Sequence, residues 1–298
     1  MTRAVLFGSV FLALCAAPAA AADLPVKAPP IAPVATFGWS GCYIGVNGGW
    51  LGGKASYGTS PGGAYLNTAG VAAPPNAAGT GLLAGDLASA RHAYDVTNSG
   101  GEIGGTVGCN QQWGSVVLGV EGDVNWSSLR NSVTTAYGPF PSANTTFTIS
   151  PETEALTTRM NWFSTVRARG GYAWDRWLLY VTGGAAIGQF DSSTSIVYGT
   201  TGTSPVFSGA AHFGSNSMTR LGWTAGGGAE YALTRQWSFK AEYLYLDFGN
   251  WSYASPLTAP AAALGAGYTW QTSVREREHL VRIGINYRFG EGPIMARY

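Results

Sequence analysis

Between Leu280 and Phe289 the chain alternates strictly. Val281, Ile283, Ile285, Tyr287 and Phe289 share one face of an extended segment, and Arg282, Gly284, Asn286 and Arg288 share the other, because strand side chains alternate with period two. Any half-buried strand alternates. Here the polar face carries two arginines and the apolar face closes on two aromatics, which fits a barrel strand with lipid outside and a polar interior. Such a strand needs neighbours of the same kind.

Seven more segments supply them. Alternation marks residues 41–53, 101–112, 116–130, 158–172, 177–191, 219–232 and 237–248, with 278–289 closing the series. Trp113-Gly114-Ser115 separates the second and third, Ala173-Trp174-Asp175-Arg176 the fourth and fifth, and Leu233-Thr234-Arg235-Gln236 the sixth and seventh. The other connections are long and rich in Gly, Ala, Ser, Thr and Pro: 54–100, 131–157, 192–218 and 249–277. Strict short–long alternation predicts an all-β fold, an eight-stranded antiparallel up-and-down transmembrane β-barrel with short periplasmic turns and long outer loops.

The N-terminus predicts export. Met1-Thr2-Arg3 is positive, residues 4–16 are apolar, and Ala20-Ala21-Ala22 offers a small-residue cleavage site, so residues 1–22 read as a signal peptide. The apolar run is shorter than the ~20 residues of a spanning helix, and bulky Leu14 before Cys15 argues against a lipoprotein site. Residues 23–38 carry Pro25, Pro29, Pro30 and Pro33 and read as a periplasmic linker. The barrel then covers 39–289, and 290–298 forms a tail. No later apolar run is long enough for a spanning helix, which excludes a helical bundle and leaves strands of ~9–11 residues as the spanning elements. Charged residues make up only 11% of the chain and glycines number 43. Without Arg3, 16 basic residues face 16 acidic ones, so no basic field attracts nucleic acid.

Tryptophans cluster at the short turns: Trp113, Trp174, Trp177 and Trp237. With Tyr172, Tyr231, Tyr287 and Phe289 they predict a periplasmic aromatic girdle; Trp50, Trp126, Trp162, Tyr245 and Trp251 predict the outer one. The face opposite the lipid collects Glu102, Glu121, Asp123, Glu230 and Glu242 against Arg167, Arg169, Lys240, Arg282 and Arg288. Charges in a narrow barrel must be paired or hydrated. Two readings stay open: a structural network filling the interior, or a charged constriction along a small pore. Eight strands leave an interior about filled by side chains, while inward glycines such as Gly45, Gly49, Gly104, Gly108 and Gly184 would leave space for water.

Cys42 begins the first strand and Cys109 ends the second on the same face, which suggests a cross-strand disulfide near the periplasmic rim. His92 and His212 fall in long connections and His279 near the outer end of the last strand; they read as solvated, and no ligand spacing implies a metal or other cofactor. Arg275-Glu276-Arg277-Glu278 reads as a solvated strand start at the outer rim, able to meet lipid phosphates. No spacing singles out a nucleophile and base, so no enzyme is expected.

The chain resembles the small outer-membrane barrels grouped as porin-family or outer-membrane immunogenic proteins, with the architecture of the OmpA transmembrane domain. The resemblance spans most of the chain. It rests on Ala22-Asp23-Leu24-Pro25, the run from Gly41-Cys42-Tyr43-Ile44 to Gly49, Thr165-Val166-Arg167-Ala168-Arg169-Gly170-Gly171-Tyr172, Tyr180-Val181-Thr182-Gly183-Gly184, Lys240-Ala241-Glu242-Tyr243-Leu244-Tyr245 and Asn286-Tyr287-Arg288-Phe289. It implies a bacterial outer-membrane location, with lipids and lipopolysaccharide as surroundings. Arg282, Gly284, Tyr287 and Phe289 also resemble the terminal signal read by the barrel-assembly machinery, although Phe289 is followed by the tail. Members of the family are described as structural surface proteins, surface antigens, porins and, in some cases, haem binders. The expected role is accordingly structural or surface-interacting. The alternatives are a narrow passive channel for small solutes, or haem or ligand binding through the outer loops. A soluble lipocalin-like barrel would need the opposite arrangement, an apolar interior and a polar exterior. No residue pattern bears on oligomeric state.

Overall fold

The computed structural model describes residues 37–63, 91–141, 148–149, 151–201, 209–258 and 268–289. The expected signal peptide, linker residues 23–36, the tail and the tips of the outer connections lie outside the described residues.

The strands are β1 (Gly41–Gly63), β2 (His92–Trp113), β3 (Val116–Ser127), β4 (Arg130–Tyr137), β5 (Phe140–Pro141), β6 (Thr148–Ile149), β7 (Glu152–Trp174), β8 (Trp177–Tyr198), β9 (Ala211–Ala232), β10 (Trp237–Thr258) and β11 (Tyr268–Phe289). The short β5 and β6 pair with each other. The remaining nine form one antiparallel sheet that closes on itself, because β1 pairs with both β2 and β11. β3 and β4 share one position in the ring: both pair with β2 on one side and β7 on the other, with Ser128 and Leu129 between them. The ring therefore has eight staves in up-and-down order, the architecture that the alternation predicts.

The strands are longer than the alternating segments suggest. Seven staves are unbroken runs of 22 or 23 residues. At ~3.3 Å per residue such a strand is over ~70 Å long, about twice what the hydrocarbon layer requires. The ends of the expected long connections are thus strand: β1 continues to Gly63, β2 starts at His92, and β7 starts at Glu152. On staves without a bulge, such as β8 and β11, the reason is an exchange of faces without a change of parity. In the periplasmic half, Val181 on β8 and Ile283 on β11 point outward and are exposed, while Thr182 and Arg282 point inward. In the outer half, Ser193 on β8 and Ser273 on β11 point outward, while Phe190, Ile196, Val274 and Trp270 are buried inside. Lipid surrounds the first half and water the second, so the preferred outward residue changes while the ladder runs on.

Where the solvent changes also fixes the girdles. At the periplasmic end, Gly114 (φ 59°) and Asp175 (φ 49°) take the left-handed conformation of tight hairpins. Trp237 N donates to Thr234 Oγ1 at 3.0 Å in the third turn. Trp113, Trp174, Trp177, Trp237, Tyr172 and Phe289 are exposed around this rim, with Trp177 5.0 Å or closer to Tyr231 and Trp237 to Tyr287 (centroids 4.8 and 5.0 Å). Trp50 and Trp126 stand exposed higher up, and Trp223 packs on Tyr245 at 5.3 Å. Trp251 is a correction to the outer girdle: it is buried inside. The register shifts between Asp247 and Asn250, where Gly249 has φ 72°, and this bulge turns Trp251 inward. Cys42 lies directly opposite Cys109 and the two are disulfide-bonded, with Cα atoms 3.9 Å apart.

Candidate functional site in the barrel interior

The interior is built in layers. At the periplasmic floor Trp39 is fully buried with Val117, Ala173, Leu178 and Ala232, and Phe37 packs against them. Arg288 belongs to this floor. Its guanidinium lies 4.8 and 4.7 Å from the Phe37 and Trp39 ring centroids and donates to the Gly38 carbonyl at 2.6 Å. The expected acidic partner is replaced by two aromatic faces and a backbone oxygen.

Above the floor stand four acids and four bases, all buried. Neighbouring β3 and β7 place Glu121 opposite Arg167 and Asp123 opposite Thr165; β9, β10 and β11 reach them across the ring. Arg167 bonds Glu121, Asp123 (3.0 Å) and Glu242 (2.9 Å). Arg282 bonds Asp123 at 2.9 Å and Glu242 at 2.8 Å through Nε. Lys240 Nζ donates to both oxygens of Glu121, at 2.9 and 3.0 Å. Arg169 pairs with Glu230 at 2.9 Å and lies 3.9 Å from the centroid of the Tyr180 ring. Tyr43 donates to Glu121 at 2.6 Å, Tyr180 to Glu242 at 3.0 Å, and Ser238 and Asn286 both to Glu230. The charges balance and most of their hydrogen-bonding capacity is used, the condition under which ions tolerate burial. Glu102 is buried beside this layer, and neither of its oxygens has a hydrogen-bond partner among the described residues.

The inward glycines do not hold space for water. A methyl group at Gly45 would collide with the Asn286 side chain, at Gly104 with Asn125, and at Gly108 with the Tyr43 hydroxyl. Each glycine is the seat of a neighbouring polar side chain. Over the ion layer lies an apolar plug that includes Phe163, Phe190, Leu244, Phe248, Trp251 and Leu280.

Within and above the plug, buried acids appear that the sequence reading assigned to solvent. In Arg275-Glu276-Arg277-Glu278 the arginines face out, their side chains 41% and 43% exposed, and both lie within 4.0 Å of Asp247. Glu276 and Glu278 are fully buried. Asn98 and Asn131 donate to Glu276 at 3.1 and 3.0 Å, and Asn98 also donates to Glu278 at 2.5 Å. The alternation of the four residues was itself the available signal. The histidines are corrected likewise: His92 opens β2 and His212 is buried in β9, so neither sits in a loop, whereas His279 is exposed midway along β11, opposite Tyr245, and bonds the Tyr243 hydroxyl at 2.6 Å. Loop-borne haem or ligand binding falls on connections outside the described residues.

A closed ring with an apolar outer band, aromatic rims and a charged interior is now in view. The family model for the outer membrane protein beta-barrel domain matches residues 7–289. The chain belongs to the outer-membrane protein β-barrel family. A 31 kDa outer-membrane immunogenic protein of Brucella melitensis is 34% identical over 293 residues, covering 96% of this chain and all of the relative. A 22 kDa outer membrane protein of Rhizobium leguminosarum is 27% identical, covering 69% of this chain and 72% of its own. A 25 kDa outer-membrane immunogenic protein of Brucella abortus is 26% identical, covering 63% and 65%. This family member is an integral outer-membrane protein, and lipid is the solvent of its apolar band.

Glu121 faces three bonded cations, so Glu121→Gln should destabilise the refolded barrel by about 3–5 kcal/mol. Urea unfolding in lipid vesicles measures this; a loss below ~1 kcal/mol would mean that the cations find other partners. The carboxyls above the lipid band predict a pH effect. Burial, then the neighbouring Glu278, raises Glu276, and burial pushes Glu278 from its ordinary 4.5 up to about 7. The fold holds protons that the unfolded chain releases, so stability should fall as pH rises from 4.5 to about 7. The Glu276→Gln, Glu278→Gln double variant should flatten much of that fall in urea midpoints; an unchanged slope would reject the assignment.

Proposed function

We propose that the barrel is a closed, non-conducting and non-enzymatic scaffold that carries a polar extension above the membrane for contacts at the cell surface. One observation carries this reading. The ion-pair layer lies between an apolar floor and an apolar plug, with Trp39, Phe163, Phe190, Phe248 and Leu280 each 0% exposed. An ion crossing the barrel would have to leave water at both layers. The outer half, whose outward face bears Ser193, Ser195, Ser215, Ser217 and Ser273, adds length that the membrane does not need. Two relatives are named immunogenic proteins, which fits display of such an extension.

In planar bilayers the protein should give no steady conductance above lipid background, and Phe190→Ala with Phe248→Ala and Trp251→Ala should raise it. Discrete steady openings of the unaltered protein would establish the channel reading instead.

The same scaffold needs assembly. Tyr287 and Phe289 face outward at the periplasmic end of β11, their rings 5.2 Å apart, while Arg282 and Gly284 face in. This end of the closing strand fits recognition by the barrel-assembly machinery. Tyr287→Ala with Phe289→Ala should slow machinery-assisted folding several-fold into vesicles while leaving unassisted refolding in detergent nearly unchanged; equal slowing of both would assign the pair to barrel stability alone.

A further inference from the structure

We propose that His92, Glu152 and Glu154 form a divalent-cation site, suited to Zn²⁺, at the outer end of the barrel interior. Glu152 and Glu154 lie two residues apart on β7 and both point inward; His92 approaches from the first turn of the ladder on β2. One donor atom from each lies within 4.8 Å of the others. His92 Nδ1 is 3.4 Å from Glu154 Oε2 and 4.0 Å from Glu152 Oε1. Ligand bonds of ~2.0–2.1 Å in a tetrahedron place donors ~3.3 Å apart, so a small contraction of the cluster reaches that geometry.

Burial and the absence of a basic partner point to a cation. Both glutamates are 1% exposed, yet among the described residues Glu154 Oε1 and His92 Nδ1 have no hydrogen-bond partner, and Glu152 faces the Tyr198 hydroxyl with no cation on it. Buried carboxylates without a compensating charge are costly, and among the described residues no lysine or arginine bridges either one. Two carboxylates and an imidazole form a donor set whose charge a divalent ion cancels, and the mixed nitrogen and oxygen set favours a transition ion over Ca²⁺ or Mg²⁺.

The surroundings hold the donors in place. The His92 ring stacks on Tyr137 with centroids 3.8 Å apart and planes 7° from parallel. Tyr137 donates to the Tyr94 hydroxyl at 2.5 Å, and Tyr94 donates in turn to Glu154. Such outer contacts fix ligand orientation. The His92 side chain is 11% exposed, which leaves a way in from the external medium and room for water as the remaining ligand.

The test uses the full-length, untagged protein refolded in detergent, titrated with Zn²⁺ by calorimetry. One saturable equivalent is expected. His92→Ala and Glu154→Gln should each weaken binding by roughly tenfold or more, and His279→Ala, on the outward face midway along β11, should leave it unchanged. Heat-dependent gel mobility reports whether each variant is folded. Zinc-edge X-ray absorption of the unaltered protein, which needs no variant, should show an oxygen and nitrogen shell with imidazole scattering and no sulfur. Absence of saturable binding, a shell without imidazole, or equal loss in His279→Ala would overturn the site and leave His92 as an ion-pair partner of Glu154.

Discussion

A peptide group in hydrocarbon has no water to bond, so a sheet that enters lipid must leave no free edge. Closure of β1 onto β11 meets that demand, in register from Cys42 against Phe289 to Gly63 against Tyr268. Irregularities occur where they are tolerable. The break between β3 and β4 sits at the outer margin of the apolar band, and its backbone is satisfied by Ser128 N on Gly101 O at 3.0 Å and Met160 N on Leu129 O at 3.1 Å. At the β10 bulge, Asp247 Oδ1 accepts from Gly249 N at 2.8 Å and Arg220 reaches the Asn250 carbonyl at 2.7 Å.

Closure with eight staves leaves a narrow interior, and narrowness dictates its chemistry. Inward positions of the spanning half are opposite lipid-facing positions and carry polar residues. In so small a space these must bond one another, and the reciprocal pairing of Glu121, Asp123, Glu230 and Glu242 with Arg167, Arg169, Lys240 and Arg282 is the outcome. A buried ion network is weak grounds for high stability, because hydrophobic replacements of similar volume often do as well. Its more secure consequence is register: a one-residue slip of β3, β7, β9, β10 or β11 would place these charges in lipid.

Above the membrane the same ladder continues under the opposite rule, with serine and threonine outside and Phe190, Phe248 and Trp251 inside. This second core fills the interior above the ion layer with Phe190, Phe248 and Trp251 and lies below the cluster of His92, Glu152 and Glu154. The two cores share strands but answer to different solvents.

The alternation of residues 281–289 and its seven counterparts was enough to determine the eight positions of the ring, their antiparallel order and the lipid-facing side of each stave, though not the break that splits one stave into β3 and β4 or the added β5–β6 pair, because those positions depend only on period two and on the contrast between apolar and charged residues. It also set Cys42 and Cys109 on a common face. Sequence could not determine where each strand ends, since an outward serine beside an inward phenylalanine reads as a polar loop unless the change of solvent is known. Nor could it determine that Arg288 would stack on Phe37 and Trp39, that a bulge would bring Trp251 inside, or that Glu276 and Glu278 would be buried while their flanking arginines remain exposed. Those outcomes depend on closure, which brings together residues more than a hundred positions apart and lets the bulge at Gly249 reverse a parity that composition alone does not reveal.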